Sequence, residues 1–156
     1  MGIKVFLCYD GDTGKKEMSV GKEPWYIHQL NQDQLKLFIE EARTGKSNKK
    51  AFIGTVTPDA AQRIEAVCSK KVKNIMLERE SIRHSFKKVS HKLKNDDLLH
   101  IVNAINTATD IKLSNTKHQN NECLEIYKEI GGKIIFTMEV RIHYGGWLAL
   151  VTCYRL

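Results

Sequence analysis

Two groups of residues in this chain have types and spacings that suit proton transfer next to an anion. The first is His84, Lys88 and His91, at i, i+4 and i+7 of a segment with helical periodicity, on the side away from its apolar stripe. The second lies in the last third, where Thr137, Glu139, Arg141, Thr152 and Tyr154 alternate with apolar residues along strand-like segments, joined by Lys128 upstream. An imidazole titrates near neutrality without a large environmental shift. A guanidinium can grip a phosphate through two parallel hydrogen bonds, and an ammonium supplies a point charge. Each residue also has a plainer reading: His84 as a solvated surface histidine, Lys128 and Arg141 as partners of Glu125, Glu129 or Glu139, and Thr152 and Tyr154 as ordinary strand formers.

The elements that must position these groups follow from the hydrophobic pattern. Cys123 to Leu156 alternates with period two and is broken at Gly131-Gly132 and at Tyr144-Gly145-Gly146, which predicts a three-stranded meander. With two-residue loops, Ile130 faces Lys133 and His143 faces Gly146. Tyr127, Phe136, Met138, Val140, Ile142, Trp147, Ala149, Val151 and Cys153 then form the core face. The other face gathers Lys128 with Ile135 and Tyr154, Ile126 with Thr137 and Thr152, and Leu124 with Glu139 and Leu150.

Upstream, Ile3 to Tyr9 reads as a strand ending in Asp10-Gly11-Asp12. Asn31 to Arg43 reads as a helix with Asn31 as N-cap, Gly45 just past its end, and Leu35, Phe38, Ile39 and Ala42 on its apolar side. Ala51 to Val56 is a short strand. Thr57-Pro58 opens a helix with Ala60, Ala61, Ile64, Val67 and Cys68 inward. Val72 to Leu77 is a second short apolar piece, followed by the histidine helix, whose stripe is Ile82, Phe86, Val89 and Leu93. Asp96 or Asp97 caps a further helix, Leu98 to Thr107, and the polar stretch Asp110 to Glu122 reads as a loop. Trp25 and Tyr26 anchor the N-terminal segment or offer an aromatic surface. Gly11 to Lys16 holds a G-x-x-G-K fragment without the full spacing or the Ser/Thr of a phosphate-binding loop, so it reads as a basic turn.

The 156 residues are 42% hydrophobic, enough for one compact unit, with residues 1–50 as a strand-loop-helix extension and 51–156 as the main α+β domain. A net charge of +7, from 25 Lys and Arg against 18 Asp and Glu, favours a polyanionic partner such as nucleic acid. Cys8, Cys68, Cys123 and Cys153 are widely spaced, without a C-x-x-C pair, so no metal site or redox motif is expected. No secretory pattern and no apolar run long enough to span a bilayer is present, which predicts a cytoplasmic protein with no membrane partner.

The order of motifs adds a resemblance. A helix with R-H-x-x-x-K (Arg83 to Lys88), a second helix, a polar stretch, and strands with Y-K (Tyr127-Lys128), M-E-V-R (Met138 to Arg141) and V-T-C-Y (Val151 to Tyr154) follow an I-G-T-V lead-in at Ile53. This resembles the barnase, EndoU, colicin and RelE-like nuclease domains of phage polyvalent proteins and related toxins, over about Phe52 to Leu156. The likeness implies helices packed on an antiparallel meander and a metal-independent endoribonuclease without cofactor, acting on tRNA or mRNA in a host bacterial cell. An immunity protein or antitoxin would be its partner. It implies His84, Lys128, Arg141, Thr152 and Tyr154 as catalytic, with Lys88 one turn on as substrate-binding; His91, Glu139 and His143 join the substrate-binding candidates from the residues themselves, Glu139 also reading as a partner of Arg141 and His143 as a turn residue. Relatives often carry a second histidine about five residues after the first; here that position is Val89, and His91 lies two further on.

In that chemistry RNA provides its own nucleophile, the 2′-hydroxyl. The site must then supply a base, an acid for the leaving 5′-oxygen, and cations for the phosphorane. A site made this way requires the histidine helix to lie along the sheet rim with His84 overhanging the polar face, or to bend. The alternative is a catalytically inactive RNA-binding or protein-interaction module on the same fold.

Overall fold

The computed structural model describes residues 8–10, 28–45 and 49–156. The fragment Gly11 to Lys16, Trp25 and Tyr26, and most of the first expected strand lie outside these residues. The chain is α+β. Its described elements run β1 (Cys8–Asp10), α1 (Gln32–Thr44), β2 (Lys49–Thr55), α2 (Pro58–Cys68), β3 (Asn74–Glu78), α3 (Arg79–Lys87), α4 (Ile101–Asn106), β4 (Asp110–His118), β5 (Asn121–Glu129), β6 (Lys133–Arg141) and β7 (Trp147–Arg155). Three 3-10 turns interleave, at Val89–His91, Asp97–His100 and His143–Gly145. The strands form one mixed sheet in the order β1-β2-β3-β7-β6-β5-β4, parallel only at β3 and β7. Among the described residues no helix is long and apolar enough to cross a membrane.

The first two helices form for local reasons that the sequence states openly. Asn31 closes a capping box with Gln34, each side chain bonding the other's backbone N–H at 2.9 Å, and such a cap is worth about 1 kcal/mol. Gly45 caps the far end, and Leu35, Phe38, Ile39 and Ala42 are buried between. Thr57 caps α2 with Pro58 in its first turn, and Ala60, Ile64 and Cys68 face inward. All of these belong to one apolar cluster with Ile75, Leu77, Ile82, Ile101, Ile105, Ile126, Phe136, Leu148 and Cys153. The N-terminal helix and the C-terminal strands therefore share a core on one face of the sheet, and β2 runs across residue 50.

Several expectations are corrected. Asp110 to Glu122 is not a loop: it forms β4 and the start of β5, joined by a two-residue turn at Gln119 and Asn120, both with positive φ. β4 is an edge strand in which Ile111 is the one buried residue, so it lacks the alternation that announces a strand. The meander thus has four strands. The histidine helix stops at Lys87, and Val89, expected in its stripe, is 92% exposed in the following turn. The next helix starts as a 3-10 turn, with no side-chain cap from Asp96.

The register shifts as well. The β5–β6 loop holds three residues, Ile130 to Gly132, with both glycines at positive φ and Glu129 paired with Lys133. Moving the pairing by one residue turns every β5 side chain over. Leu124, Ile126 and Lys128 therefore stand on the core face, and Tyr127 on the other. The β6–β7 loop is longer, Ile142 to Gly146, and a bulge near Val151 restores the expected pairing beyond it: Thr137 with Thr152 and Ile135 with Tyr154. Before the bulge Leu148 and Leu150 join the core. Trp147 and Ala149 instead build a small second cluster with Phe52 and Met76 on the opposite face.

Candidate active-site cleft

The face away from the main core carries the polar residues. Lys50 pairs with Glu78 across β2 and β3, Glu139 pairs with Ala149, and Arg141 pairs with Trp147, so all of these side chains share that face with Thr137, Thr152 and Tyr154. The pairing of β3 with β7 ends at Met76 and Ala149, and α3 then packs against the second half of β7. This places the helix along the sheet rim. Ile82 is fully buried in the core, and His84, about 200° further round the helix, overhangs the polar face.

A cleft of about 430 Å³ opens there. Glu78, Glu80, Ser81 and His84 form one bank; His118 and Gln119, at the tip of the β4–β5 hairpin, form the other; Arg141 and Val151 lie between. Two histidines from elements 34 residues apart in sequence thus line one cavity.

Its floor is an ionic network. The Glu139 carboxylate is 1% exposed; Oε2 accepts from Asn121 Nδ2 at 2.7 Å, and Oε1 accepts from Arg141 Nη2 at 2.9 Å and Nε at 3.2 Å. Oε1 also lies 3.1 Å from His118 Nδ1. Arg141 Nη2 donates further to Glu78 Oε1 at 2.8 Å, and Nη1 to the sulfur of Met76 at 3.3 Å. Burial pushes the Glu139 carboxyl up, but the hydrogen bonds from Asn121 and Arg141 outweigh it and hold the group below the ordinary carboxylate range. For Arg141, burial opposes the charge and Glu78 and Glu139 more than restore it. Lys50 is held below its usual value by burial, partly offset by Glu78 and reinforced by Arg141. Since an ionised carboxylate only accepts, His118 must donate through Nδ1, and Nε2 is left to act as acceptor.

Beyond α3 the chain turns back. His91 Nδ1 meets the Ser85 carbonyl at 2.9 Å, and its ring sits 6.3 Å from that of His84 and 6.0 Å from that of Tyr154, centroid to centroid. The break after Lys87, not a continued helix, brings His91 beside His84. Burial, with Glu125 and Cys153 nearby, raises the Tyr154 phenol above its ordinary value.

Of the expected site residues, His84 and Arg141 line the cleft and Glu139 lies beneath it, His91 and Tyr154 follow in a row of rings beside His84, and the others stand apart. Lys128 is on the core face, donating from Nζ to the Thr107 carbonyl at 2.8 Å, because of the three-residue turn. His143 sits exposed in the β6–β7 turn, and Lys88 is exposed at the end of α3; neither lines the cleft. Thr152 is on the right face, but its hydroxyl is buried without a hydrogen-bond partner and is not presented to a ligand. The sequence reading missed His118, Glu78, Glu80 and Asn121. A signal existed: Gln119-Asn120 is good hairpin-turn chemistry, and reading it so puts His118 opposite Asn121 at a strand end.

Among the described residues no set of three His, Cys, Asp or Glu side chains is placed to hold a metal ion. No protein-family model, curated protein or solved structure matches the chain.

Proposed function

We propose that this cleft is the active site of a metal-independent endoribonuclease that cuts RNA by attack of the 2′-hydroxyl. The observation that carries the reading is the convergence of His84 and His118 on one cavity with Arg141 between them. His118 Nε2 takes the 2′-hydroxyl proton, and the 2′-oxygen bonds to phosphorus. The P–O5′ bond breaks, and the leaving oxygen takes a proton from the His84 imidazolium. A 2′,3′-cyclic phosphate and a 5′-hydroxyl result, and each imidazole ends in the state that the reverse exchange needs. Arg141 Nη1, held only by a weak thioether acceptor, is the guanidinium donor that a phosphate oxygen would claim. Such a site fits the nuclease domains of the barnase, EndoU, colicin and RelE-like type found in phage and toxin proteins. The substrate would then be tRNA or mRNA in a host bacterial cell, and an immunity protein or antitoxin the partner.

One observation favours a second reading. Arg141 is already engaged by Glu78 and Glu139, and Glu80 adds a further negative charge at the rim, an environment that opposes a polyanion. On that reading the cleft does not cut RNA, and the fold is a catalytically inactive module that binds a protein partner, or holds RNA on another surface.

Incubating the protein, His84→Ala and His118→Ala with total tRNA and a synthetic RNA in EDTA, and resolving the product ends, separates the two. Cyclic phosphate ends from the wild type, reduced on the order of 10²- to 10⁴-fold in each variant, are expected of the nuclease. RNA bound with a steep salt dependence but never cut would establish the binding module.

A further inference from the structure

The polar face continues past the cleft into a row of rings. Tyr127 on β5, Ile135 on β6 and Tyr154 on β7 are cross-strand partners, so their side chains stand side by side on the face that the helices leave open. Ile135 is buried between them, while both tyrosines are half-exposed. At one end Tyr154 meets His91, which meets His84 on the cleft bank. At the other end the ammonium groups of two exposed lysines lie over the Tyr127 ring, Lys112 Nζ at 5.1 Å and Lys133 Nζ at 5.9 Å from its centroid, and their flexible stems let them swing to backbone phosphates as a base takes the ring face. Tyr127 is tied by its hydroxyl to Glu125 at 3.0 Å, which fixes the ring.

We propose that the Tyr127–Ile135–Tyr154 row is a base-stacking platform for single-stranded RNA, leading unpaired nucleotides from the sheet edge to the cleft. Adjacent strands are about 4.8 Å apart, so the two tyrosines stand about 10 Å apart across the sheet, room for two splayed bases. Aromatic faces held by a sheet bind any base, and flanking ammonium groups follow the backbone; together these are the chemistry of unpaired strands. A duplex keeps its bases stacked inside and offers nothing to such rings. The inference rests on the proposed RNA substrate and narrows it to unpaired segments.

The test measures binding apart from cutting, with a 2′-O-methylated oligoribonucleotide that has no free 2′-hydroxyl, offered single-stranded and as a duplex. Tyr127→Leu is expected to weaken single-strand binding about tenfold or more and to leave the duplex unaffected, and Tyr127→Phe, which loses only the bond to Glu125, to bind like the wild type. Unchanged single-strand binding by Tyr127→Leu overturns the platform and leaves the face to a protein partner. Equal loss in Tyr127→Phe overturns it too, since the hydroxyl bond and not the ring would then matter. Cleavage is read separately on unmodified RNA: binding that follows this pattern without any product retains the platform and removes the nuclease.

Discussion

Glu139 Oε1 lies 3.1 Å from His118 Nδ1, and the carboxylate behind that contact is closed off from solvent and fixed by Asn121 and Arg141. A buried acceptor of this kind sets which nitrogen of the imidazole carries the proton. It also stabilises the imidazolium once formed, so Glu139 acts on substrate only through His118, as a positioning residue.

In neutral His118 the proton should therefore reside on Nδ1, which the ring nitrogen shifts in an NMR spectrum report directly. Glu139→Gln keeps the shape but not the charge. It should lower single-turnover cleavage about tenfold to a hundredfold, less than the loss of a whole acid–base group, and move the pH profile, which a merely structural role would leave in place. A proton found on Nε2 in the wild type would remove His118 as the base.

Stability should depend on pH through two buried carboxylates. Glu139 is held below its ordinary value as described. For Asp97, burial raises the carboxyl, but the two bonds from Arg155 at 2.7 and 2.8 Å and one from the Lys94 N–H at 2.7 Å bring it lower than normal. A carboxyl with a depressed folded value adds stability that is complete above the unfolded pKa of about 4 and disappears as pH falls through the folded value. Urea midpoints should be flat above about pH 5 and decline below about pH 4. Asp97→Asn should flatten that decline and lower the plateau by about 3 kcal/mol, because Arg155 is left buried without its counter-charge.

Gly146 should be far less replaceable than Gly131. Its φ is +94°, and a Cβ there would run into the Lys71 carbonyl and the Val72 backbone, while its own carbonyl accepts from the N–H groups of Lys73 and Asn74. Gly146→Ala should cost more than about 2 kcal/mol in a urea titration. At Gly131, φ is +58° and a Cβ meets only the end of Lys94 at 3.9 Å, so Gly131→Ala should cost about 1 kcal/mol.

How far the sequence could be read differed from element to element. α1 and α2 were legible because caps, first-turn chemistry and apolar spacing agree at every position. The last three strands were legible from alternation, yet their register was not, since a Gly-Gly pair fits a two-residue or a three-residue loop and only tertiary packing chooses. That single residue decided the fate of Lys128. Thr137 and Thr152 were matched correctly although the loop before β7 was misjudged, because the bulge near Val151 cancels the error. β4 escaped notice because an edge strand exposed on both sides has no apolar rhythm, and with it went His118. The position of α3 follows from β3 being short beside β7, a relation between distant segments that no local pattern encodes.

β7 is the strand that joins the two halves of the sheet. β7 is made after every other strand described here, yet it lies between β3 and β6. Until β7 docks, the described strands fall into two separate half-sheets with open edges, β1-β2-β3 and β6-β5-β4, and the Arg141–Glu78 bridge, whose two ends lie on strands either side of β7, has nothing to span. The chain therefore carries both histidines before it has a cleft to put them in, and the cleft forms only when β7 takes its place between the two halves.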